Sequence, residues 1–561
     1  MLVGIDVGGT YTDAVLIDQG RAIRQVKVAS LHNRVLKSIL NALDEILHGV
    51  SPQQIERVAF STTLVTNAIV QGTMERAGLF IMPGPGADWQ GRLAGEPVVL
   101  SGVVDHRGRV RQDTSEQEVR QASRRMEQTK VFAVSGKFAV RNPAQEKRVA
   151  DWIAEEREPL YIACGSEVAG NLNFIRRTNS AYYNAAVWPR FQEFADAAAA
   201  ALHARGIQAP LLILKADGGT LPLAKARELP VESIFTGPAA SALGVMALCP
   251  PGVPAVSLDI GGTTTDIALW RGGAPLMDAK GAAVGKYLTA VRTFRLRSIG
   301  LGGDSWLRRE DGELRIGPER QGPAMALGGP EPTLTDALIV AGRIDFGDRS
   351  LAEAAMQRLI FPGKSLHETA RIIVDQATES VAAAVREMLA VEAAKPVYKV
   401  EDIVRPDILQ PELLIGVGGG AAGLVPLIAG KLKIAWQVPA LAMVANALGA
   451  ALARPTLHIT LRADTAVGEY TVPELGLRRP LSERRLSLQQ AAELAASHLR
   501  QTADAAGIGA EAMEMTFAEE FNLVRGFSTV GKIMQVGVQI KPGIVAGLAG
   551  MAGTGGAFHE N

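Results

Sequence analysis

Cysteine is almost missing from this chain, with two in 561 residues. Cys164 and Cys249 lie far apart and fit no metal-ligand spacing. A disulfide framework and a cysteine-bound metal are therefore excluded, and buried thiols in a reducing cytoplasm are expected. Net charge is missing too, since 58 basic residues face 58 acidic ones. No bulk field favours nucleic acid or an acidic membrane, which leaves a small molecule as the expected ligand. Long apolar runs are also lacking. The Ala-rich stretches at 195–202 and 437–453 are broken by Asp, Asn or Gly and read as buried helices rather than membrane spans. The chain opens on MLVGIDV, with no basic segment leading into an apolar one. Aromatic residues are few, at 5%, beside 47% apolar and 21% charged residues, a globular composition. This length exceeds one ordinary core and predicts two to four domains.

What the chain has instead is one stretch written twice. Residues 3–20 read VGIDVGGTYTDAVLIDQG, and residues 256–273 read VSLDIGGTTTDIALWRGG. At a fixed offset Asp6, Gly8, Gly9, Thr10, Thr12 and Asp13 fall on Asp259, Gly261, Gly262, Thr263, Thr265 and Asp266. Each copy is a short apolar run, an acid, a Gly-Gly-Thr turn and a second alternating run, the pattern of a β-hairpin with a Gly-rich turn. Two such hairpins predict two related lobes facing each other, with polyphosphate as the ligand between them.

In order, residues 2–7, 12–18 and 22–28 read as strands and 33–48 as an amphipathic helix. A strand near 57–61 meets STTLVTNAIVQG, a hydroxyl-rich turn opening a short helix. Ser61, Thr62, Thr63 and Thr66 there suit either an anion or polar ligand at a helix N-terminus or plain capping and turn bonding. Residues 77–235 alternate strand and helix, and Ser115 with Glu118 offers a capping box. KADGGTLPL (215–223) places a Gly-Gly turn at the end of a strand, where α/β sheets bind ligands and where ordinary turns also occur. FTGPAASALGV (235–245) starts a helix on Gly-Pro with small residues. RSIGLGGDSW (297–306) repeats the Gly-Gly turn, with Asp304 beside it. The DG pair at 311–312 marks a hairpin. GGPEPTLTDALIVAGRID leads into a helix capped by Thr335 or Asp336. ELLIGVGGGAAGLVPLIAGKL (412–432) has the glycine spacing of a dinucleotide fingerprint but lacks the acid about twenty residues on. It reads as a backbone approach to a nucleotide base and ribose. These features divide the chain into a first lobe at 1–75, an intervening α/β region at 76–235, a second lobe at 236–455 and a small α/β appendage at 456–561.

A phosphate chain needs backbone amides brought close and its charge offset. Glycines at hairpin tips permit the approach, and Thr10, Thr12, Thr263, Thr264 and Thr265 add hydroxyls. Asp6, Asp13, Asp259 and Asp266 would repel phosphate unless a cation intervened, and hydrated Mg²⁺ is the natural one. One acid is also placed to orient or deprotonate a nucleophile. The bland reading makes all four turn-capping acids, and duplication at matched positions weighs against it.

DVGGTYTD, STTLVTNAIVQG, FTGPAASALG, LDIGGTTTDIAL, SIGLGGDSW, GGPEPTLTDALIVAGRID and GVGGGAAGLVP, in this order over about residues 1–455, resemble the hydantoinase/5-oxoprolinase A-type family of the actin/sugar kinase/Hsp70 superfamily. The resemblance implies duplicated actin-like ATPase lobes with a ribonuclease H-like core, an inserted α/β region and a small C-terminal appendage. It implies an ATP-dependent hydrolase that phosphorylates a lactam, hydantoin or related carbonyl and opens its C–N bond. An acetone-carboxylase-like subunit and a nucleotide-dependent activator are the alternatives. On this resemblance Gly8, Gly9, Thr10, Thr12, Gly261, Gly262, Thr263 and Thr264 cradle phosphates, and Asp6 and Asp259 hold hydrated Mg²⁺. Asp13 or Asp266 moves a proton. Gly237, Gly418, Gly419 and Gly420 approach the nucleotide. Thr62, Thr63, Thr66, Asn67 and Asp304 lie toward the acceptor. A B-type partner subunit is implied, and a homo-oligomer stays open. The chain departs from the family pattern at GLGGDSW, with Asp304 and Trp306 where small residues are common. It departs again at QGPAMAL (321–327), where the family's PGPxCY loop carries a Cys.

Overall fold

The computed structural model describes residues 1–8, 11–29, 35–249, 252–395, 408–482, 485–510, 512–548 and the strand Thr554–Gly556. Gly9 and Thr10, both expected at the phosphates, lie outside these residues.

The duplication read in the sequence is a duplication of sheets. The first sheet runs edge to edge as Thr220–Pro222, Leu211–Leu214, Arg57–Thr62, Leu2–Val7, Tyr11–Asp18 and Arg21–Ala29. The second runs Ala274–Pro275, Thr265–Arg271, Ala255–Ile260, Leu413–Val417, Ala435–Val438 and Thr554–Gly556, with Leu296–Ile299 also pairing to Thr265–Arg271. In each, the hairpin is antiparallel and its first strand pairs in parallel with the strand that follows later in the chain. A third parallel strand extends each sheet on that side. The hairpin strands are buried on both faces, which explains why they read as apolar runs rather than as clean alternation. The first sheet draws two of its strands, Leu211–Leu214 and Thr220–Pro222, from inside the interval 76–235.

The rest of that interval carries a sheet of its own, with parallel strands Tyr161–Cys164, Val131–Gly136, Gly78–Met82 and Pro97–Val99. It has a separate small core around Phe80, Phe132, Val149 and Ile153. Ser115 and Glu118 form the expected capping box. The helix expected near 180–205 is Phe174–His203, and it starts earlier because Asn173 caps it by accepting from the Arg176 amide at 3.1 Å. The C-terminal sheet runs Leu477–Pro480, Glu469–Val472, His458–Asp464, Ser528–Ile540, Met513–Arg525, antiparallel throughout, and the helix Leu488–Ala505 packs on it. Its apolar residues, Ile459, Leu461, Val472, Val536 and Val538 among them, share one core with the first lobe.

Two helices cross between the lobes, Thr236–Leu248 and Ala445–Leu452. Their small residues let the backbones meet. A Cβ on Gly244 would lie 2.2 Å from the Ala445 carbonyl oxygen, and one on Gly449 2.0 Å from that of Ala240. Gly4, in the first hairpin, packs as closely on Ala447, where a Cβ would lie 2.0 Å from the carbonyl oxygen. The helix expected to start at Thr335 or Asp336 is capped earlier. Thr333 is the cap, and Asp336 is its third-position acid, accepting from the Thr333 amide at 2.8 Å. The periodicity marked the apolar run, and the reciprocal cap sits two residues before it.

Candidate functional site

Both turns sit at the carboxyl ends of their central strands. In the first hairpin Asp6 stands opposite Asp13, and in the second Asp259 stands opposite Asp266. Each turn is closed the same way, by Gly8 N–H to the Tyr11 carbonyl and by Gly261 N–H to the Thr264 carbonyl, both at 3.0 Å. These two amides therefore shape the turns. The parallel neighbours end beside them. Ser61–Thr63 ends the parallel neighbour Arg57–Thr62 in one lobe and the Gly418–Gly420 turn ends Leu413–Val417 in the other, so hydroxyls on one lobe stand where glycines stand on the other.

The four acids differ in their surroundings. Asp6 is 8% exposed, and its Oδ1 has no hydrogen-bond partner. Burial pushes its carboxyl up to about 7; nearby Ser61 and Asn446 lower it, while the charges of Asp13 and Asp259 raise it. The Ser61 hydroxyl is close but outside hydrogen-bond geometry. Burial also raises Asp259, offset by Asn446 and Ser241, one from each crossing helix. Asn446 Nδ2 donates to Asp259 Oδ2 at 3.2 Å. Asp266 is pushed up to about 7 by burial and by the charge of Asp259, with Ser298 lowering it. Asp13 is held by Lys27, whose ammonium reaches its two oxygens at 2.7 and 2.9 Å. Burial still leaves Asp13 above its usual value.

Gly418 adopts φ +86, and a Cβ there would lie 2.5 Å from Asp259 Oδ1. Gly420 donates to the Ile260 carbonyl at 2.9 Å. Gly419 faces open space, with nothing within 4 Å of a would-be Cβ. Gly237 lies apart from these glycines, its nearest neighbour being Thr63, 3.8 Å from a would-be Cβ. Thr263 is half-buried and Thr264 exposed at the second turn, and Thr12 is buried.

The hydroxyl-rich turn is largely occupied by its own bonds. Thr62 Oγ1 accepts from Leu64 N–H, Thr66 Oγ1 from Phe235 N–H at 2.8 Å, and Thr63 Oγ1 from Asn67 Nδ2 at 3.2 Å. Thr236 Oγ1 donates to the Thr62 carbonyl at 2.7 Å. Thr63 stands at the N-cap position of the short helix but makes no side-chain capping bond. Asp304 packs on the second turn. Its N–H donates to the Gly262 carbonyl at 2.6 Å, and its carboxylate accepts from Arg320 Nε at 2.9 Å. Sequence reasoning missed Lys27, Ser241 and Asn446 as neighbours of the acids. Ser241 lies inside the FTGPAASALG block, but only folding brings these three side chains to the acids.

Two acid-bearing hairpins leading two sheets of one order define an actin-like ATPase fold. Nucleotide-free acetone carboxylase shares it, with TM-score 0.73 and 18% identity over 98% of this chain and 88% of that one. So does the ATP-dependent caprolactamase from Pseudomonas jessenii, with TM-score 0.70 and 20% identity over 96% and 87%.

The chain belongs to the hydantoinase/oxoprolinase family. The hydantoinase/oxoprolinase description matches residues 177–459, and that of the family's N-terminal region matches residues 2–157. The caprolactamase alpha subunit of Pseudomonas jessenii is 28% identical over 62% of this chain and 55% of its own length. The acetophenone carboxylase gamma subunit of Aromatoleum aromaticum is 28% identical over 61% and 53%. The 5-oxoprolinase of Saccharomyces cerevisiae is 27% identical over 35% of this chain and 16% of its own length. The chain thus spans about half the length of the first two.

Proposed function

We propose that this chain is an ATP-dependent hydrolase acting on the C–N bond of a lactam, hydantoin or related cyclic amide. The observation that carries the reading is the pair Asp6 and Asp259. They come from opposite lobes, the charge of Asp259 acts on Asp6, and the two share Asn446 as a neighbour. Two lobes that bring matched acids and Gly-rich turns to one place suit a single polyphosphate gripped from both sides. The family's oxoprolinase and lactamase relatives supply the reaction class.

The residues fit both groups. An unpartnered Asp6 oxygen and three buried acids with raised affinity for protons call for a cation. Among the described residues no three His, Cys, Asp or Glu side chains gather to ligate one ion. Mg²⁺ is therefore assigned to Asp6 and Asp259 through water. Gly8, Gly9, Thr10, Thr12, Gly261, Gly262, Thr263 and Thr264 are assigned to the phosphates, and Gly418, Gly419 and Gly420 to the nucleoside. Gly237, beside Thr63, is assigned to the nucleotide as well. When bound, ATP supplies a phosphoryl group that makes a resonance-stabilised amide carbonyl a better electrophile, so that water can break the C–N bond.

Of the two candidate proton carriers, Asp266 suits the role better. Its carboxyl sits near 7, where a group both takes and gives protons. Asp13 is committed to Lys27. Thr62, Thr63, Thr66 and Asn67 shape the wall on the acceptor side, and Asp304 with Arg320 braces the second turn. A B-type partner subunit fits relatives that are themselves named as subunits. Two free buried thiols fit a cytoplasmic location. Among the described residues no helix is long and apolar enough to cross a membrane.

The test is ATP turnover against a panel of lactams, hydantoins and ketones, with and without bicarbonate. Turnover that rises with a cyclic amide alone, giving the ring-opened acid, supports the reading. A product that requires bicarbonate makes the chain a carboxylase subunit. A response to a protein partner and to no small acceptor makes it an activator.

A further inference from the structure

The C-terminal sheet ends on a long hairpin. Met513–Arg525 and Ser528–Ile540 run antiparallel and are joined by the two-residue turn Gly526–Phe527. The inner strand is covered, since Met534, Val536 and Val538 share a core with Ala491, Ala495 and Leu499 of the helix Leu488–Ala505. The outer strand is not. It forms the edge of its sheet, and among the described residues no other strand pairs with its free side. A row of unpaired amides and carbonyls is a template for a further strand.

Exposed edges are ordinarily kept short, or carry Lys or Pro. This one is 13 residues long and has neither, and only the bulge at Thr516 interrupts it. Apolar side chains gather on the hairpin instead. Met515, Phe521, Val524, Phe527 and Val530 are all exposed, and Phe527 at the turn is fully so. An apolar patch of this kind marks an interaction surface.

Charge selects the partner. Side chains alternate along the strand, so Phe517, Glu519, Phe521, Leu523 and Arg525 share one face. Among the described residues Glu519 and Arg525 have no ion-pair partner, whereas Glu520 on the other face is held by Lys532 at 2.7 Å. Two copies of one strand, paired antiparallel about a two-fold axis, set residues at equal distances from the axis opposite each other. Opposite residues share a face, so the axis passes through a residue and not between two. With the axis at Asn522, Glu519 meets the partner's Arg525 and Arg525 meets the partner's Glu519. Phe521 then meets the partner's Leu523, and the turn's Phe527 reaches the partner's Phe517. Moving the axis to Phe521 sets Glu519 against Leu523, and moving it to Glu520 sets that acid against its own copy. The strand is thus self-complementary in one register.

We propose that Met513–Arg525 is a homodimer interface, in which the same strand of a second copy pairs antiparallel about Asn522 and joins the two five-stranded sheets into one. Size exclusion with light scattering should find the full chain as a dimer of 59.3 kDa subunits. Glu519→Arg puts like charges opposite each other at both pairs, and so does Arg525→Glu. Each alone should weaken dimerisation about ten-fold or more, measured by sedimentation over a dilution series. The double variant, Glu519→Arg with Arg525→Glu, restores both pairs and should recover the wild-type dissociation constant. The two single variants mixed together should also form dimers, since each supplies the charge that the other lacks. Phe521→Glu should yield a monomer. All three side chains are exposed, so the melting temperature of the monomeric variants reports whether the fold is kept. A monomeric wild type overturns the proposal. So does a dimer that these substitutions leave unchanged, or single variants that neither the double variant nor mixing rescues. If a monomeric wild type instead captures a B-type subunit and Phe521→Glu abolishes the capture, the edge belongs to that partner and the homodimer falls.

Discussion

Asn446 reaches Asp259 from the start of a helix that packs on the other lobe. Its Nδ2 donates to Asp259 Oδ2 at 3.2 Å, and it also lowers the carboxyl of Asp6. One neutral amide thus serves an acid from each half of the duplication. Replacing it removes a donor from two buried carboxyls at once. Asn446→Ala should lower ATP turnover by about 10- to 100-fold, in the range seen when groups that orient metal-binding residues are lost. Asn446→Asp should do worse, since it adds another buried negative charge. Asp259→Ala should remove ATPase activity with the circular dichroism spectrum intact. Wild-type turnover in that variant would end the assignment of the site.

The carboxyl of Asp6 gives a pH dependence with a definite sign. Its folded value, about 7, lies above the unfolded value near 3.8. The folded state therefore prefers the proton. Below about pH 4 both states hold it and there is no penalty. As pH rises toward 7 the unfolded state ionises first, and stability falls. The shift corresponds to a penalty of about 4 kcal/mol at full ionisation. Asp6→Asn should thus stabilise the ligand-free protein at pH 8 relative to wild type and lose that advantage near pH 4. Chemical denaturation at the two pH values measures it. The same variant should lose stabilisation by Mg²⁺ with an ATP analogue.

The acids themselves were legible in the sequence because duplication repeats them at a fixed offset. The hairpins, their strand boundaries and the two-lobe plan followed from the same signal. Asn446, Ser241 and Lys27 were not legible. Each reaches its acid through helix packing or strand pairing, and although Ser241 lies in the FTGPAASALG block, nothing in that block points its hydroxyl to an acid. Spacing also left Thr62, Thr63 and Thr66 between ligand and cap. Their hydroxyl oxygens accept from the Leu64 amide, the Asn67 side chain and the Phe235 amide.

Neighbouring glycines in the Gly418–Gly420 turn separate folding from binding. Gly418 has φ +86, and a Cβ would meet Asp259 Oδ1 at 2.5 Å. Gly418→Ala should cost about 1–3 kcal/mol of stability and abolish nucleotide binding. Gly419 has open space around the same atom. Gly419→Val should leave the melting temperature within about 1–2 °C of wild type while weakening an ATP analogue measurably. Unchanged affinity would place the nucleotide elsewhere.

The helix crossing makes a demand of the same kind without any ligand. Gly449→Ala drives a Cβ to 2.0 Å from the Ala240 carbonyl oxygen, a backbone atom that cannot swing aside. The helices must move apart, and with them the Asn446 and Ser241 side chains that meet at Asp259. A loss of about 2–3 kcal/mol is expected by thermal or chemical denaturation, the cost of overpacking a closed core. Any residual ATPase should show the Asn446→Ala defect.

Lys27 decides between the two proton carriers. Its ammonium holds both oxygens of Asp13, whose side chain is only 12% exposed. Lys27→Met leaves that carboxylate unpaired and should cost about 3 kcal/mol or more, because a buried charge is then uncompensated. Lys27→Met with Asp13→Asn removes both charges and should recover most of the stability. If Asp266 moves the proton, this double variant keeps a measurable kcat with an unshifted pH profile. Asp266→Asn in the wild-type background then loses kcat with little change in the affinity for nucleotide. If instead the double variant is as inactive as Asp266→Asn, the pair Asp13–Lys27 belongs to the chemistry, and Asp266 loses its claim to it.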